Sequence, residues 1–195
     1  MSYLTEQDIT DIKNNVRLLS IADIDDISHY FSLFDSHIDE YNEFLRVAEK
    51  FYELNISKTF FLIHKDTKEL LAYMTLSADS IKLSAEEKEL HDIGKVPYAA
   101  LPALKVGKLA VNKKLSEQAN RKGYGSFMLE MARAFAFRMN EFGIACRFIT
   151  VDADIDYNPD TPEFYRKNGF TENLKYKKKK DVHTISMRKD IFVEE

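Results

Sequence analysis

Asn120, Arg121, Lys122, Gly123, Tyr124 and Gly125 are the residues of this chain whose types and spacing could do chemistry. Two glycines two apart let the backbone turn sharply and let a ligand come close to it. If they lie where a strand passes into a helix, unpartnered N–H groups and the positive helix end converge on one place. The matching ligand is a phosphate or pyrophosphate. Glycines at such a turn also occur only to permit the turn, and both readings stand on these residues alone. Two other nucleotide signatures are excluded by their missing parts, since there is no GxxxxGK[ST] and no GxGxxG opening the chain.

The elements that must position this stretch follow from periodicity. Residues 104–111 alternate small or apolar residues with Lys and Gly, which predicts a strand. Phe127, Met128, Met131, Ala132, Phe135 and Met139 recur three and four apart, which predicts a helix beginning near Tyr124. Residues 15–21 predict a first strand, and the acidic ADIDDIS a loop or short helix. Ile38, Tyr41, Leu45, Ala48 and Tyr52 predict one helix, with Asp35 or Ser36 as N-cap. Residues 59–64 and 70–77 predict a hairpin. Between 80 and 103 a charged helical piece, AEEKELHDI, precedes GKVPYAALPA, whose prolines and glycine exclude a regular element. That segment is either a surface connection or part of a substrate site. Residues 147–153 predict a strand, and residues 161–168 a short helix with Pro162 in its first turn and Gly169 at its stop. Residues 170–177 and 182–187 predict a closing hairpin around a lysine cluster. The expectation is one α/β (α+β) domain over residues 1–195, with a mixed, mostly antiparallel central sheet of six or seven strands and helices on both faces.

Composition agrees. A chain of 195 residues with 45% hydrophobic and 12% aromatic residues is long enough for one proper core and is not of a disordered class. No run approaches a membrane span, and MSYLTEQDITDIKNN lacks the regions of a signal peptide, so a soluble cytoplasmic protein is expected. The single cysteine, Cys146, cannot form an internal disulfide, and its neighbours CRFITV predict a buried strand position. The net charge of −4 hides an asymmetry: residues 1–55 hold 12 acidic and 4 basic residues, and the remainder 20 acidic and 24 basic. A mildly basic remainder, at +4, suits an anionic ligand, while the acidic front weakens, without excluding, the case for tight nucleic-acid binding.

LAVNKK, RKGYGSFML, CRFITVDA and FYRKNGF occur in the order seen in the Gcn5-related N-acetyltransferases, and the chain resembles that superfamily over residues 58–190. The resemblance implies acetyl-CoA as co-substrate, no metal, and the same mixed-sheet plan. It aligns the family's Q/R-x-x-G-x-G/A pyrophosphate loop with Asn120–Gly125; Asn at the first position departs from the pattern. Residues 111–125 are about four longer than usual, with SEQA the extra piece. The cofactor contacts so implied are the N–H groups of Arg121, Lys122, Gly123, Tyr124, Gly125 and Ser126, and the main chain of Leu109, Ala110 and Val111, where the family's strand splays. Asn158 matches a frequent cofactor-contacting asparagine, although Pro159 follows it in a lengthened segment.

Acetyl transfer from a thioester needs a free amine, a polarised carbonyl and a way to discharge the thiolate. The resemblance gives Tyr165 the catalytic role of donating its hydroxyl to the coenzyme A sulfur. A thiolate of pKa about 8.5 beside a phenol near 10 makes full proton transfer uphill by about 2 kcal/mol, so a donated hydrogen bond is the better description. For the amine, the five histidines share no motif spacing, and Asp152, Asp154 and Asp156 at a strand end are the carboxylate candidates. An α-amine of pKa near 8 is about a tenth free at pH 7, against roughly one lysine in several thousand, and needs less help.

FDSHIDEYNEFL, SKTFFLIH, KELLAYMTL and the approach to VGKLAVNKK resemble, more narrowly, the subgroup containing toxins that acetylate aminoacyl-tRNA. That resemblance implies tRNA as a partner, with Lys175 and Lys177–Lys180 as a basic edge for phosphates. Solvated turn lysines that block edge association are the other reading of that cluster. The function so expected is acetyl transfer to a primary amine, small or macromolecular, in a ternary complex, with a homodimer a candidate assembly. The alternative of another class is a non-catalytic acyl-CoA-binding module.

Overall fold

The computed structural model of this protein describes residues 4–174 and 183–193. Residues 5–8, TEQD, form a capping box in which the Thr5 hydroxyl accepts the Asp8 N–H at 3.1 Å and Asp8 Oδ2 accepts the Thr5 N–H at 3.1 Å. This starts α1 (Glu6–Asn15), a helix that apolar periodicity does not reveal because only Ile12 of it is buried. Its local signal is T-x-x-D.

β1 (Val16–Ser20) follows directly. Two short helices, α2 (Ser28–Phe31) and α3 (Asp39–Phe44), lead to α4 (Ala48–Glu53), β2 (Lys58–His64), β3 (Leu70–Lys82), α5 (Ala85–Glu89) and β4 (Ala100–Val111). Then come α6 (Tyr124–Glu141), β5 (Phe148–Asp154), α7 (Thr161–Lys167), β6 (Thr171–Glu172) and β7 (Thr184–Asp190). The seven strands make one sheet in the order β1-β2-β3-β4-β5-β7-β6. The β1/β2, β2/β3, β5/β7 and β6/β7 pairs are antiparallel. The chain divides into two compact units, one made of the described residues of Tyr3–Ser77 and Val106–Met131, the other of those of Ala78–Lys105 and Ala132–Glu195.

The first unit packs α3 and α4 on a core of Phe34, Phe44, Leu45, Ala48, Phe61, Leu70 and Tyr73. Aromatic packing is specific here, with Phe44 stacked on Tyr73 at a centroid distance of 5.9 Å and the buried Tyr73 hydroxyl donating to Tyr41 O at 2.7 Å. The single helix expected from residue 38 is broken in two. Arg46 N–H and Val47 N–H donate three residues back, to Glu43 O and Phe44 O, so the chain tightens before α4 restarts. That turn still seats Leu45 and Ala48, which are 1% and 0% exposed. Asp35 and Ser36 stand in the turn ahead of α3, whose N-cap is Ile38.

Asn112, buried just past β4, ties this unit together. Its Nδ2 donates to Leu33 O at 3.1 Å and Leu70 O at 2.9 Å, and its Oδ1 accepts from Asp35 N–H at 3.2 Å and Lys114 N–H at 2.9 Å. Asn112→Ala leaves those buried groups unpaired and is expected to cost about 2–3 kcal/mol. A denaturant titration with unchanged m-value checks this; a loss under about 0.5 kcal/mol would show that water replaces the amide.

In the second unit Ile81, Leu83, Leu101, Ala103 and Phe148 form the core, with Ile93 and Val96 against it. The strand β4 begins at Ala100, inside the segment whose prolines and glycine were expected to exclude a regular element. Leu101 and Ala103 are buried while Pro102 is exposed, and Pro102 O accepts the Arg147 N–H at 3.0 Å. A proline is tolerated there because it sits in the first residues of the strand. Ser84 and Glu87 box the start of α5, and the buried Glu87 binds the buried Arg188 of β7 at 2.8 Å. Cys146 is buried as expected but lies in the coil before β5, and burial pushes its thiol up. β6 is shorter than expected, and the lysine cluster at 175 and 177–180 lies outside the described residues.

Candidate functional site

The glycine turn leads directly into α6. The first bond of α6 runs from Phe127 N–H to Gly123 O at 2.9 Å, so the N–H groups of Tyr124, Gly125 and Ser126 have no partner within the helix. Gly123 has φ +100°, a conformation that L side chains rarely adopt, and a Cβ there would lie 2.7 Å from Leu4 Cδ2. In the same helical turn the Ser126 hydroxyl oxygen is buried without a hydrogen-bond partner. Three aligned donors at a helix start favour an anion.

The loop ahead of the turn is braced from within. Residues 116–119, the extra piece, fold as a turn of their own, with Ser116 O accepting Ala119 N–H at 3.1 Å and Asn120 N–H at 2.8 Å. Ser116 is tethered to Glu69, whose Oε1 accepts the Ser116 N–H at 2.7 Å and whose Oε2 accepts its hydroxyl at 2.5 Å. The Tyr124 hydroxyl donates to Ala119 O at 2.8 Å, closing the loop on the helix start.

The positive charges around the loop divide. Arg121 is engaged by α1, with Nη2 at 3.1 Å from Asp8 Oδ1 and 3.9 Å from Asp11 Oδ2. Lys114 lies 3.0 Å from Asp35, whose carboxyl is held down to about 2, first by the His37 N–H and then by Lys114. Lys113 and Lys122 are exposed. Of the strand positions, Ala110 is buried in the first unit's core, and Leu109 and Val111 are half-buried beside it. Just before them, Lys108 N–H donates at 2.8 Å to the Thr75 hydroxyl rather than to a carbonyl, and that hydroxyl lies 2.9 Å from where a Gly107 Cβ would be. A Cβ at position 107 would force that hydroxyl to shift.

In the second unit, Tyr165 is buried in α7, its ring edge-on to Phe164 at 5.1 Å and Phe170 at 5.4 Å. Asn158 is exposed and spends its side chain on the turn before α7, accepting the Asp160 N–H at 3.0 Å. The three aspartates have distinct partners. Asp152 binds Lys105 at 2.5 Å, Asp154 accepts the Asp156 N–H at 2.9 Å, and Asp156 pairs with His183 Nδ1 at 2.6 Å. Sequence spacing missed His183, because the antiparallel β5/β7 register, with Asp154 opposite Thr184, brings it to Asp156. Among the described residues no group of three His, Cys, Asp or Glu side chains could hold a metal, and no helix is long and apolar enough to cross a membrane.

No protein-family model and no curated protein matches this sequence. Solved structures do. A tyrosine-to-phenylalanine mutant of KacT superposes with a TM-score of 0.64 at 19% identity, covering 88% of this chain and 94% of that one. AtaT complexed with acetyl-methionyl-tRNAfMet gives 0.64 at 18% identity, over 88% and 94%. The AtaT toxin carrying a tyrosine-to-phenylalanine change, bound to the C-terminus of the antitoxin AtaR and to acetyl-CoA, gives 0.64 at 15% identity, over 91% and 94%. The chain has the GNAT acyl-CoA N-acyltransferase fold. Identities this low carry the fold and not the chemistry, so within the GNAT fold the reaction must be argued from this chain's own residues.

Proposed function

We propose that this protein is an acetyl-CoA-dependent N-acetyltransferase, a single domain over residues 1–195 acting in the cytoplasm on a primary amine by direct attack in a ternary complex. The observation that carries the reading is the Gly123 turn, with the N–H groups of Tyr124, Gly125 and Ser126 left without partners inside α6. In this reading those groups, with the N–H groups of Arg121, Lys122 and Gly123, hold the pyrophosphate. The main chain of Leu109, Ala110 and Val111 holds the acyl arm, and Asn158 is a further cofactor contact. Tyr165 donates to the departing sulfur. The buried Cys146, its thiol pushed up by burial, takes no part as a nucleophile.

The acceptor this reading favours is the α-amine of an aminoacyl-tRNA. Its amine is the kind that needs little help from a base, and structural neighbours include AtaT with acetyl-methionyl-tRNAfMet and a KacTA–DNA complex. An antitoxin partner belongs to the same proposal. The second reading, a module that binds acyl-CoA without turnover, has a specific observation in its favour, the engagement of Arg121 by Asp8 and Asp11.

Calorimetric titration with acetyl-CoA tests the site. Gly125→Glu places bulk and negative charge at the second residue of α6 without the positive-φ strain that Gly123 would suffer, and is expected to weaken binding at least about a hundredfold, near 2.7 kcal/mol. No binding by folded wild-type protein would overturn the proposal. Binding without acetylation of charged tRNA or an amine panel would leave the non-catalytic module.

A further inference from the structure

A cavity of about 280 Å³ opens beside the glycine turn, lined by Asp11, Ile12, Asn15, Val16, His64, Asp66, Gln118, Arg121 and Tyr124. All belong to the first unit. Its buried lining is Ile12, Val16, His64 and the ring of Tyr124, which are 1%, 7%, 5% and 4% exposed. Asp11, Asn15, Asp66, Gln118 and Arg121 are more open to solvent and form its polar rim.

His64 gives the cavity its chemistry. Its Nδ1 accepts the Thr67 N–H at 3.2 Å, so the neutral ring carries its proton on Nε2. His64 is only 5% exposed, so this donor belongs to the buried part of the lining. The Tyr124 hydroxyl is used by Ala119 O, so the tyrosine offers the cavity its ring. Two aliphatic side chains, one aromatic ring and one N–H donor at the base, with the carboxylates of Asp11 and Asp66 at the rim, suit a flat heteroaromatic ring. Such a ring accepts at one nitrogen and donates from an exocyclic amine. Adenine has both.

The size and the position indicate where that ring comes from. At about 280 Å³ the cavity lies just under the ~300 Å³ at which pockets begin to hold a whole drug-sized ligand, so it has room for part of a cofactor. Arg121 and Tyr124 belong both to the lining and to the backbone run that would bind the pyrophosphate. A coenzyme whose pyrophosphate lies on that run has its nucleoside one ribose away.

We propose that this cavity, between α1, the β1 and β2 strands and the start of α6, seats the adenine of the coenzyme, with His64 Nε2–H as the buried donor to a ring nitrogen. This rests on the acetyl-CoA reading above and adds to it that the N-terminal helix builds one wall of a base-binding site. Arg121, held by Asp8 and Asp11, closes the rim between base and pyrophosphate.

The test titrates the full chain with acetyl-CoA, with S-acetyl-phosphopantetheine, which lacks the nucleoside, and with adenosine bisphosphate, which is the nucleotide half alone. Asn15→Trp fills the mouth from an exposed helix-end position, and His64→Ala removes the donor while His64→Gln keeps one. Acetyl-CoA and adenosine bisphosphate are expected to bind Asn15→Trp and His64→Ala about tenfold more weakly, with S-acetyl-phosphopantetheine within about twofold of wild type and His64→Gln largely restored. If the variants weaken all three ligands equally, or none, the adenine is elsewhere and the proposal falls while the acetyltransferase reading stands. If wild-type protein binds neither acetyl thioester, both readings fall together. Adenosine bisphosphate alone binding in the cavity would make it a site for free nucleotide and overturn the link to the coenzyme. Loss of folding in His64→Ala leaves Asn15→Trp to decide.

Discussion

Glu87→Ala lowers the stability of this protein by about 3–5 kcal/mol, because it leaves a buried arginine without its counter-charge. Arg188 is 3% exposed and Glu87 0% as side chains, and their 2.8 Å contact is the centre of a cluster. Glu87 also accepts the Ser84 N–H at 2.8 Å and the Leu174 N–H at 2.9 Å, while Arg188 donates to Glu172 O, Asn173 Oδ1 and His91 Nε2. The carboxylate therefore fixes α5, the chain after β6, and β7 at once. For a chain of this length the loss is a fall in Tm of roughly 10 °C. Thermal unfolding of the variant measures it; a shift under about 2 °C would mean that Arg188 finds another anion. The paired change Glu87→Leu with Arg188→Met removes both charges and is expected to cost far less.

The same pair predicts the direction of acid sensitivity. Burial alone would raise the Glu87 carboxyl, but the Ser84 and Leu174 N–H groups and Arg188 outweigh it, and the group lies below its ordinary value. Burial pulls Arg188 down against the attraction of Glu87, and a guanidinium remains charged in proteins. A depressed folded-state carboxyl contributes stability that is present above its unfolded value and lost as pH falls through the folded one. Wild-type protein should lose stability below about pH 4, and the Glu87→Leu, Arg188→Met variant should lose less over that range.

Tyr165→Phe is expected to lower the rate of acetyl transfer about a hundredfold while leaving acetyl-CoA affinity nearly unchanged. The ring is buried and packed edge-on between Phe164 and Phe170, and a phenylalanine keeps that packing. What it removes is a hydroxyl, and a positioned donor to a leaving group is typically worth 10²–10⁴ in rate. Steady-state rates with calorimetric affinities separate the two roles. Equal rates would remove Tyr165 from the mechanism, and a rate loss matched by a loss of fold would make it a packing residue.

The two predictions draw on different kinds of information. The elements that carry Tyr165 and the Asn120–Gly125 loop were legible in the sequence because their local geometry follows from the residues themselves, whereas the roles proposed for those residues come from the resemblance. Pro162 and Gly169 bound α7 as their backbone preferences require, and Gly123 adopts the φ that a turn into α6 needs. The long, strongly periodic α6 was legible because period reports burial, and β2 and β3 because they are short apolar and aromatic runs. Local rules failed where packing overrode them. The helix expected from residue 38 broke because two short helices, and not one long one, seat Leu45 and Ala48 against the aromatic core. Pro102 entered a strand because burying Leu101 and Ala103 outweighed its missing donor.

Nothing in the order of residues announces Glu87 with Arg188, Asp156 with His183, or Arg121 with Asp8, pairs separated by 101, 27 and 113 positions. Such pairings have no period and no motif. Strand register and helix docking create them, and so only the tertiary structure decided which charges of this chain are spent on holding it together and which remain for a ligand.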